Sequence, residues 1–285
     1  MSNILEVCGL HKHYDRFELR DVSIALPYGT IMGFIGENGA GKSTTIKLIL
    51  DVVHRDGGTV RLFGTDISDP KTFAALRQRI GIVYDDCCFP EQLQLGSLST
   101  IMRRIYSAWD CNAFDNWLSR FSLDRAQTIA QLSRGMKMKL SLAVALSHNA
   151  ELLILDEPTG GLDPVVRDEL LDIFLEFVQD ETHSVFVSSH ITTDLEKIAD
   201  YITFIHNGEI LLSDEKDLML ERFGILKCDN DTLCALEPSA IRGVRSNQFG
   251  AAALVERSAV PKGFELEAAT LEDIMLYTIK NEGSI

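Results

Sequence analysis

The chain has 285 residues, of which 46% are hydrophobic and 24% charged, a balance that is typical of a folded globular protein and excludes a largely disordered one. The formal net charge is −15, and an acidic surface is repelled by nucleic-acid phosphates and by anionic lipid head groups. We therefore expect no nucleic-acid partner and no direct adsorption to a membrane. No apolar run approaches the roughly 20 residues that span a bilayer, and the first ten residues lack a signal-peptide pattern, so a cytoplasmic protein is predicted.

Short apolar runs bounded by turn residues predict buried strands, and helical patterns lie between them. The predicted strands are 30–35, 59–63, 80–84, 152–155 and 184–187, and the predicted helices of this part are 43–53 and 137–147. This alternation is typical of an α/β fold with a mostly parallel sheet and helices on both faces. The segment 98–121 holds both tryptophans and lacks strand patterns. It predicts a helical subdomain, about 88–148, inserted in the α/β domain.

The pattern changes after Ser213, and the sequence predicts a small C-terminal α+β extension of residues 214–285 behind a main domain of residues 1–213. Residues 215–223 read as a helix, and 224–266 as short strands and loops. Residues 270–280 have one apolar face behind a Thr-x-x-Asp capping pattern, which predicts a terminal helix.

A phosphate-binding loop is predicted at residues 36–43, because Gly36-Glu37-Asn38-Gly39-Ala40-Gly41-Lys42-Ser43 fits GxxxxGK[ST] between an apolar strand and a helix. The glycines let backbone N–H groups wrap around phosphates, and the helix start adds its positive dipole. Lys42 is expected to neutralise the β and γ phosphates, and Ser43 to bind Mg²⁺. The predicted nucleotide contacts in this segment are Gly36, Asn38, Gly39, Ala40, Gly41, Lys42, Ser43 and Thr44.

Two carboxylates follow the apolar run 152–155 directly. A buried parallel strand brings Asp156 and Glu157 to the carboxyl edge of the sheet, where such folds bind ligands. Asp156 is predicted to hold Mg²⁺, and Glu157 to activate the water that attacks the γ-phosphate. By itself the pattern fits a strand that runs into a solvated loop equally well, and the phosphate loop upstream favours the catalytic interpretation.

The segment Leu132-Ser133-Arg134-Gly135-Met136 precedes an amphipathic helix, with Ser133 as a good helix cap and Gly135 freeing nearby N–H groups for an anion. Here the sequence resembles the ATP-binding cassette (ABC) superfamily of P-loop NTPases, whose hallmark is an LSGGQ-like segment at this place. The resemblance implies that Ser133 and Gly135 contact the γ-phosphate of ATP bound to the opposite subunit of a head-to-tail dimer, which is either a homodimer or a pair with another cassette subunit. Arg134 and Met136 depart from the family pattern.

Three further positions match the family, and a fourth departs from it. Tyr14 stands where an aromatic ring stacks on adenine, and Asp163, after Gly160-Gly161-Leu162, where an aspartate crosses the dimer interface. His190 stands where a histidine contacts the γ-phosphate. Asp85 replaces the glutamine that links Mg²⁺ to the transmembrane partner, so the resemblance makes it the third predicted metal ligand.

The function implied by the resemblance is that of an ATPase subunit with Glu157, His190 and Lys42 as catalytic residues and with ATP and Mg²⁺ as cofactors. The sequence looks most like single-cassette subunits of bacterial exporters. We therefore expect it to power export through a separate transmembrane permease subunit, which holds it at the inner face of the cell membrane. The alternative is an ABC-superfamily ATPase in a non-transport regulatory role; neither a long coiled coil nor a second cassette, which typify such proteins, is found.

Overall fold

The computed structural model describes residues 2–234, 236–247, 250–261 and 263–282. The strands are β1 Asn3–Tyr14, β2 Phe17–Pro27, β3 Ile31–Ile35, β4 Gly57–Leu62, β5 Thr65–Asp66, β6 Ile80–Val83, β7 Leu152–Asp156, β8 Ser184–Ser189, β9 Tyr201–His206, β10 Glu209–Glu215, β11 Phe223–Cys228, β12 Ile241–Asn247, β13 Gly250–Glu256 and β14 Leu266–Ala268. The helices are α1 Lys42–Ile49, α2 Pro70–Arg77, α3 Leu95–Ile105, α4 Cys111–Arg120, α5 Arg134–Leu146, α6 Pro164–Phe177, α7 Thr192–Ile198, α8 Lys216–Arg222, α9 Asn230–Cys234 and α10 Leu271–Glu282.

The central sheet has six strands in the order β10-β9-β3-β8-β7-β6. Neighbouring strands from β9 to β6 run parallel, and β10 pairs antiparallel with β9. Every residue of β3, β7 and β8 is buried, as the continuous apolar runs predict for strands covered on both faces. The predicted α/β fold is confirmed. Parallel strands end at one edge, and the loops after β3, β7 and β8 therefore lie side by side.

A second, antiparallel sheet has the order β2-β1-β4-β5. Its apolar face packs with α1 and the central sheet in a core that includes Leu10, Phe34, Ile46 and Phe186. The predicted strand 59–63 corresponds to β4 of this sheet rather than to a parallel strand. Helix α1 ends at Ile49, four residues before the predicted end, and Asp51 just beyond it has a left-handed φ of 50°. A left-handed residue cannot continue a right-handed helix.

The segment between β6 and β7 is helical, as the sequence predicts. Helices α3 and α4 pack on α5 through Leu98, Phe114, Leu118 and Met138. Helix α5 begins three residues before the predicted start, because the Ser133 side chain caps it by accepting a hydrogen bond from the Met136 N–H at 3.3 Å.

The C-terminal residues form a sheet of order β12-β13-β11-β14 and the helix α10. Thr270 and Asp273 cap α10 reciprocally, as the Thr-x-x-Asp pattern predicts. The Leu271 N–H donates a hydrogen bond of 2.6 Å to Glu196 on α7, and Leu271 and Ile274 share a core with Leu195. The domain boundary predicted after Ser213 lies inside β10. The C-terminal residues pack directly on α7, the helix that follows His190.

Two hairpin turns allow a matched test of a close backbone approach. Asn207-Gly208 joins β9 to β10 and Phe63-Gly64 joins β4 to β5, with positive φ at both residues of each turn. A Cβ on Gly208 would lie 1.9 Å from the Glu18 carbonyl oxygen, whereas a Cβ on Gly64 would meet nothing within 4 Å. The Gly208 N–H also donates to Ala40 O of the glycine-rich loop at 3.0 Å.

We expect Gly208→Ala to lower the free energy of unfolding by about 3 kcal/mol or more, and Gly64→Ala by only about 1 kcal/mol. Both alanines bear the strain of a positive φ, and only the first collides with a neighbouring strand. Urea unfolding of the two variants measures the difference. Equal losses would show that β2 does not approach this turn so closely.

Candidate functional site

The glycine-rich loop joins β3 to α1 at the carboxyl edge of the central sheet. Gly41 precedes α1 with a φ of 116° and has no side chain to cap the helix, so the first N–H groups of α1 remain available to an anion. A Cβ on Gly41 would lie 2.9 Å from the Phe17 ring, and one on Gly36 2.5 Å from the Ile205 carbonyl oxygen. Glycine is therefore required at both positions by contacts within the fold.

A cleft of about 690 Å³ opens over this loop. It is lined by Tyr14, Arg16, Phe17, Asn38, Gly39, Gly41, Lys42, Ser43, Thr44, Asp85, Asp156 and Glu157. Two predicted contacts, Gly36 and Ala40, are buried in the loop and do not line the cleft. Arg16 and Phe17 were not predicted as site residues. Arg16 lies in the β1–β2 turn and Phe17 begins β2, two and three residues after Tyr14, and this closeness to Tyr14 is the signal that could have found them.

Lys42 has its ammonium group at the centre of the loop, although its side chain is only 5% exposed. Its Nζ donates hydrogen bonds to the carbonyl oxygens of Gly36 at 2.7 Å and Glu37 at 3.1 Å. The same Nζ lies 3.1 Å from Oε1 of Glu157. A buried cation of this kind needs such partners, and phosphate oxygens are partners of the same kind.

Strand β7 delivers Asp156 and Glu157 to the cleft. The Ser188 hydroxyl on β8 donates a hydrogen bond of 2.6 Å to Asp156 Oδ1, which fixes the carboxylate. Glu157 has a φ of 53°, and its N–H donates to Ser188 O and Oγ, both at 3.1 Å. A glutamate in the left-handed region is strained, and such strain concentrates at functional sites. The turn aims the Glu157 side chain at Lys42 instead of continuing along the strand.

His190, directly after β8, contacts the same carboxylate. Its Nδ1 lies 2.6 Å from Glu157 Oε2, and its backbone N–H donates to that oxygen at 3.3 Å. Since a carboxylate can only accept, Nδ1 carries the hydrogen of this contact. Glu157 therefore lies between a lysine and a histidine, and its side chain is only 15% exposed.

Ser133, Gly135 and Asp163 lie on other elements and do not line the cleft formed by the described residues. Ser133 is exposed at the start of α5. Asp163 caps α6, accepting hydrogen bonds of 3.1 Å from Val165 N–H and Val166 N–H. One copy of the chain thus brings together the glycine-rich loop, Asp156, Glu157 and His190, and leaves the tip of α5 facing outward.

Asp85 lines the cleft on the loop after β6, and its Oδ1 accepts a hydrogen bond from Nη2 of Arg134. Burial raises the pKa of Tyr84 before it and of the Cys88 thiol after it. Neither group is therefore ionised at neutral pH, and the acidic side chains of the loop are Asp85, Asp86 and Glu91.

The oxygen donors at the cleft suit a magnesium ion. Among the described residues no three His, Cys, Asp or Glu side chains converge into a protein-only metal site. Mg²⁺ in nucleotide sites is held by one or two carboxylates together with phosphate oxygens. The Ser43 hydroxyl and the carboxylates of Asp156 and Asp85 all line the cleft and supply such donors.

A glycine-rich loop and two carboxylates at the carboxyl edge of a parallel sheet define the class of P-loop nucleotide-binding proteins. Residues 19–160 match the family described as ABC transporter. A solved structure of the ATP-binding subunit of an ABC transporter matches with a TM-score of 0.68 at 27% identity, covering 76% of this chain and 91% of that one.

Relatives by sequence agree with this match. The chain is 34% identical over 214 residues to the bacitracin transport ATP-binding protein BcrA of Bacillus licheniformis, covering 74% of this chain and 69% of that protein. It is 33% identical over 227 residues to the lantibiotic transport ATP-binding protein SrtF of Streptococcus pyogenes, covering 75% and 92%. The chain belongs to the ABC transporter family: it is an ATP-binding, ATP-hydrolysing transporter subunit, as predicted, rather than a regulatory ATPase outside transport. Within the described residues, no helix combines the length and apolar character needed to cross a bilayer.

Proposed function

We propose that this chain is the ATPase subunit of an exporter, that it works as a homodimer, and that a separate transmembrane permease holds it at the inner face of the cell membrane. The observation that carries the proposal is the convergence of Lys42, Asp156, Glu157 and His190 beside one glycine-rich loop. The names of BcrA and SrtF, for bacitracin and lantibiotic transport, support export and make peptide antibiotics the first substrates to test.

Nucleotide is held along the cleft. Tyr14 stacks on the adenine, and the backbone of Gly36, Asn38, Gly39, Ala40, Gly41 and Thr44 surrounds the phosphates. Lys42 exchanges Glu157 for the β and γ phosphates, which are stronger partners for its charge. Ser43, Asp156 and Asp85 hold Mg²⁺, which neutralises phosphate charge when it is bound.

Hydrolysis needs a base beside the γ-phosphate, and Glu157 is proposed for that role. Once Lys42 turns to the phosphates, the Glu157 carboxylate accepts the proton of the attacking water. His190, 2.6 Å from Glu157, keeps the carboxylate in place and extends to the γ-phosphate. The strained turn at Glu157 supports this assignment, because it points the carboxylate into the cleft.

The second copy completes each site. We place Ser133 and Gly135, at the exposed tip of α5, against the γ-phosphate of nucleotide held by the other copy, and Asp163 across the same interface. Val165, two residues after Asp163, is 77% exposed, so the start of α6 is open to a second copy.

Two further segments, the loop after β6 and the C-terminal region, are assigned roles outside the nucleotide site. The loop of residues 85–94 after β6 is proposed to contact the permease, and an ATPase domain of residues 1–213 to carry catalysis. Residues 214–285 form an accessory region. The bond between Leu271 and Glu196 supports an effect of this region on α7 and so on His190.

A negative charge introduced at the tip of α5 tests whether this tip contacts the nucleotide that is bound by the other copy. In a Glu157→Gln background, chosen to slow hydrolysis, we expect Mg-ATP and not Mg-ADP to double the mass measured by light scattering. Adding Ser133→Glu should keep the chain monomeric with ATP bound, because the new carboxylate repels the γ-phosphate of the other copy.

The matched control is Ser119→Glu, an exposed serine on α4 of the same helical subdomain. It should leave ATP-dependent association unchanged. A Ser133→Glu chain that dimerises as well as this control would refute the proposed interface.

A further inference from the structure

Two ion pairs join the loop after β6 to the beginning of α5. Arg134 pairs with Asp85, and Nζ of Lys137 lies 3.4 Å from Oε1 of Glu91. Arg134 and Lys137 are three residues apart on α5, so they lie on one face of the helix and meet the same loop. We call the set of Asp85, Arg134, Glu91 and Lys137 the charge clasp.

Backbone hydrogen bonds join the same two segments. The Ala130 N–H donates to Glu91 O at 2.9 Å, and the Ile129 N–H donates to Leu93 O at 3.1 Å. The loop is thus attached both before α5 and along its first turns. A displacement of the loop would carry the tip of α5 with it.

The Arg134 guanidinium also lies beside the turn that follows Glu157. A Cβ on Gly161 would lie 3.2 Å from Nη1 of Arg134, and one on Gly160 would lie 3.9 Å both from Nη2 and from Cε1 of His190. The two glycines leave room for the guanidinium. Arg134, at the tip of α5, therefore pairs with Asp85 and lies next to the turn between the catalytic glutamate and Asp163.

We propose that Asp85 and Arg134 are positioning residues: their ion pair couples the loop that faces the cleft and the permease to the helix tip that faces the nucleotide of the other copy. The inference rests on the proposed function, and it names the path by which motion of the permease reaches the shared site. Both residues depart from the family pattern, and here they contact each other. Neither substitution alone indicates a link between the loop and the helix tip, and the link follows only from the contact between Asp85 and Arg134.

We expect the ion pair of the charge clasp to fix the position of the loop relative to α5 and to contribute little to the free energy of folding. The Arg134 and Asp85 side chains are 52% and 49% exposed, and exposed ion pairs add little to the free energy of folding. Variants of the pair should therefore melt close to the parent temperature. A change in function without a change in melting would separate positioning from a general structural role.

Association of the Glu157→Gln chain with Mg-ATP tests the coupling. We expect Asp85→Asn and Arg134→Ala each to weaken association by about tenfold, and the double variant by no more than either alone, because both remove one shared contact. Arg134→Lys, which keeps a cation opposite Asp85, should retain most of the association that Arg134→Ala loses.

A matched ion pair controls for loss of charge. Asp115 and Arg125 form an Arg–Asp pair in the helical subdomain with side chains 41% and 51% exposed. Asp115→Asn and Arg125→Ala should leave association unchanged. If Arg134→Ala weakens association and Asp85→Asn does not, Arg134 acts directly on the nucleotide of the other copy, and the coupling is refuted.

Hydrogen exchange without nucleotide gives a second readout that does not depend on dimerisation. Arg134→Ala should speed amide exchange in residues 84–94 and at the start of α5, whereas Arg125→Ala should not. If the parent chain fails to associate, the proposed function is wrong, and exchange still decides whether the pair holds the loop. Unchanged amide exchange in both segments would refute the proposal that the Asp85–Arg134 pair holds the loop against α5.

Discussion

Glutamine in place of Glu157 is expected to slow ATP hydrolysis by at least about a hundredfold, the usual loss when a general base is removed. The amide keeps the shape of the side chain and its place near His190 and Lys42, and it cannot accept the proton of the attacking water. ATP binding should therefore persist, and the ATP-bound form should accumulate as a dimer. Phosphate release measures the rate, a fluorescent ATP analogue measures binding, and light scattering measures the mass.

Glu151 provides the matched control at the other end of β7. It lies just before β7, at the opposite edge of the sheet, where Arg79 donates hydrogen bonds of 2.7 and 2.5 Å to its carboxylate. Glu151→Gln leaves the cleft untouched and should hydrolyse ATP at the rate of the parent. A Glu157→Gln chain that also keeps the parent rate would show that the base is another group.

The parts of the site that the sequence predicts are those built by local chain geometry. The run 152–155 is apolar throughout, so it is buried in the sheet, and Asp156 and Glu157 necessarily follow at its carboxyl edge. The glycine-rich loop likewise specifies a strand, a tight turn and a helix within a few residues. The same holds for α10, whose start is encoded in the reciprocal cap of Thr270 and Asp273.

The features that the sequence does not predict depend on contacts between residues that are far apart in the chain. Register shifts interrupt the pairing of β1 with β2 and of β9 with β10, and β1 and β9 also pair with strands that are distant in the sequence. The contact between Asp85 and Arg134 joins residues 49 positions apart. Considered one at a time, the two residues are separate departures from a family pattern, and only the fold brings them together.

Alanine in place of Lys42 is expected to abolish hydrolysis and to weaken ATP binding by at least about tenfold, since a charge-assisted hydrogen bond to phosphate is worth roughly 1.5–3 kcal/mol. The substitution also removes the cation that lies 3.1 Å from Glu157 Oε1.

Lys47 is the control for the loss of one positive charge on α1, because it lies on the same helix five residues after Lys42 and is exposed. Lys47→Ala should bind and hydrolyse ATP like the parent, whereas Lys42→Met, which keeps the length of the side chain, should fail like Lys42→Ala. Titration with a fluorescent ATP analogue at fixed Mg²⁺ measures binding in all three. If Lys42→Met binds as tightly as the parent, the Lys42 charge is not what holds the phosphates, and the loop backbone with the first N–H groups of α1 must supply the affinity.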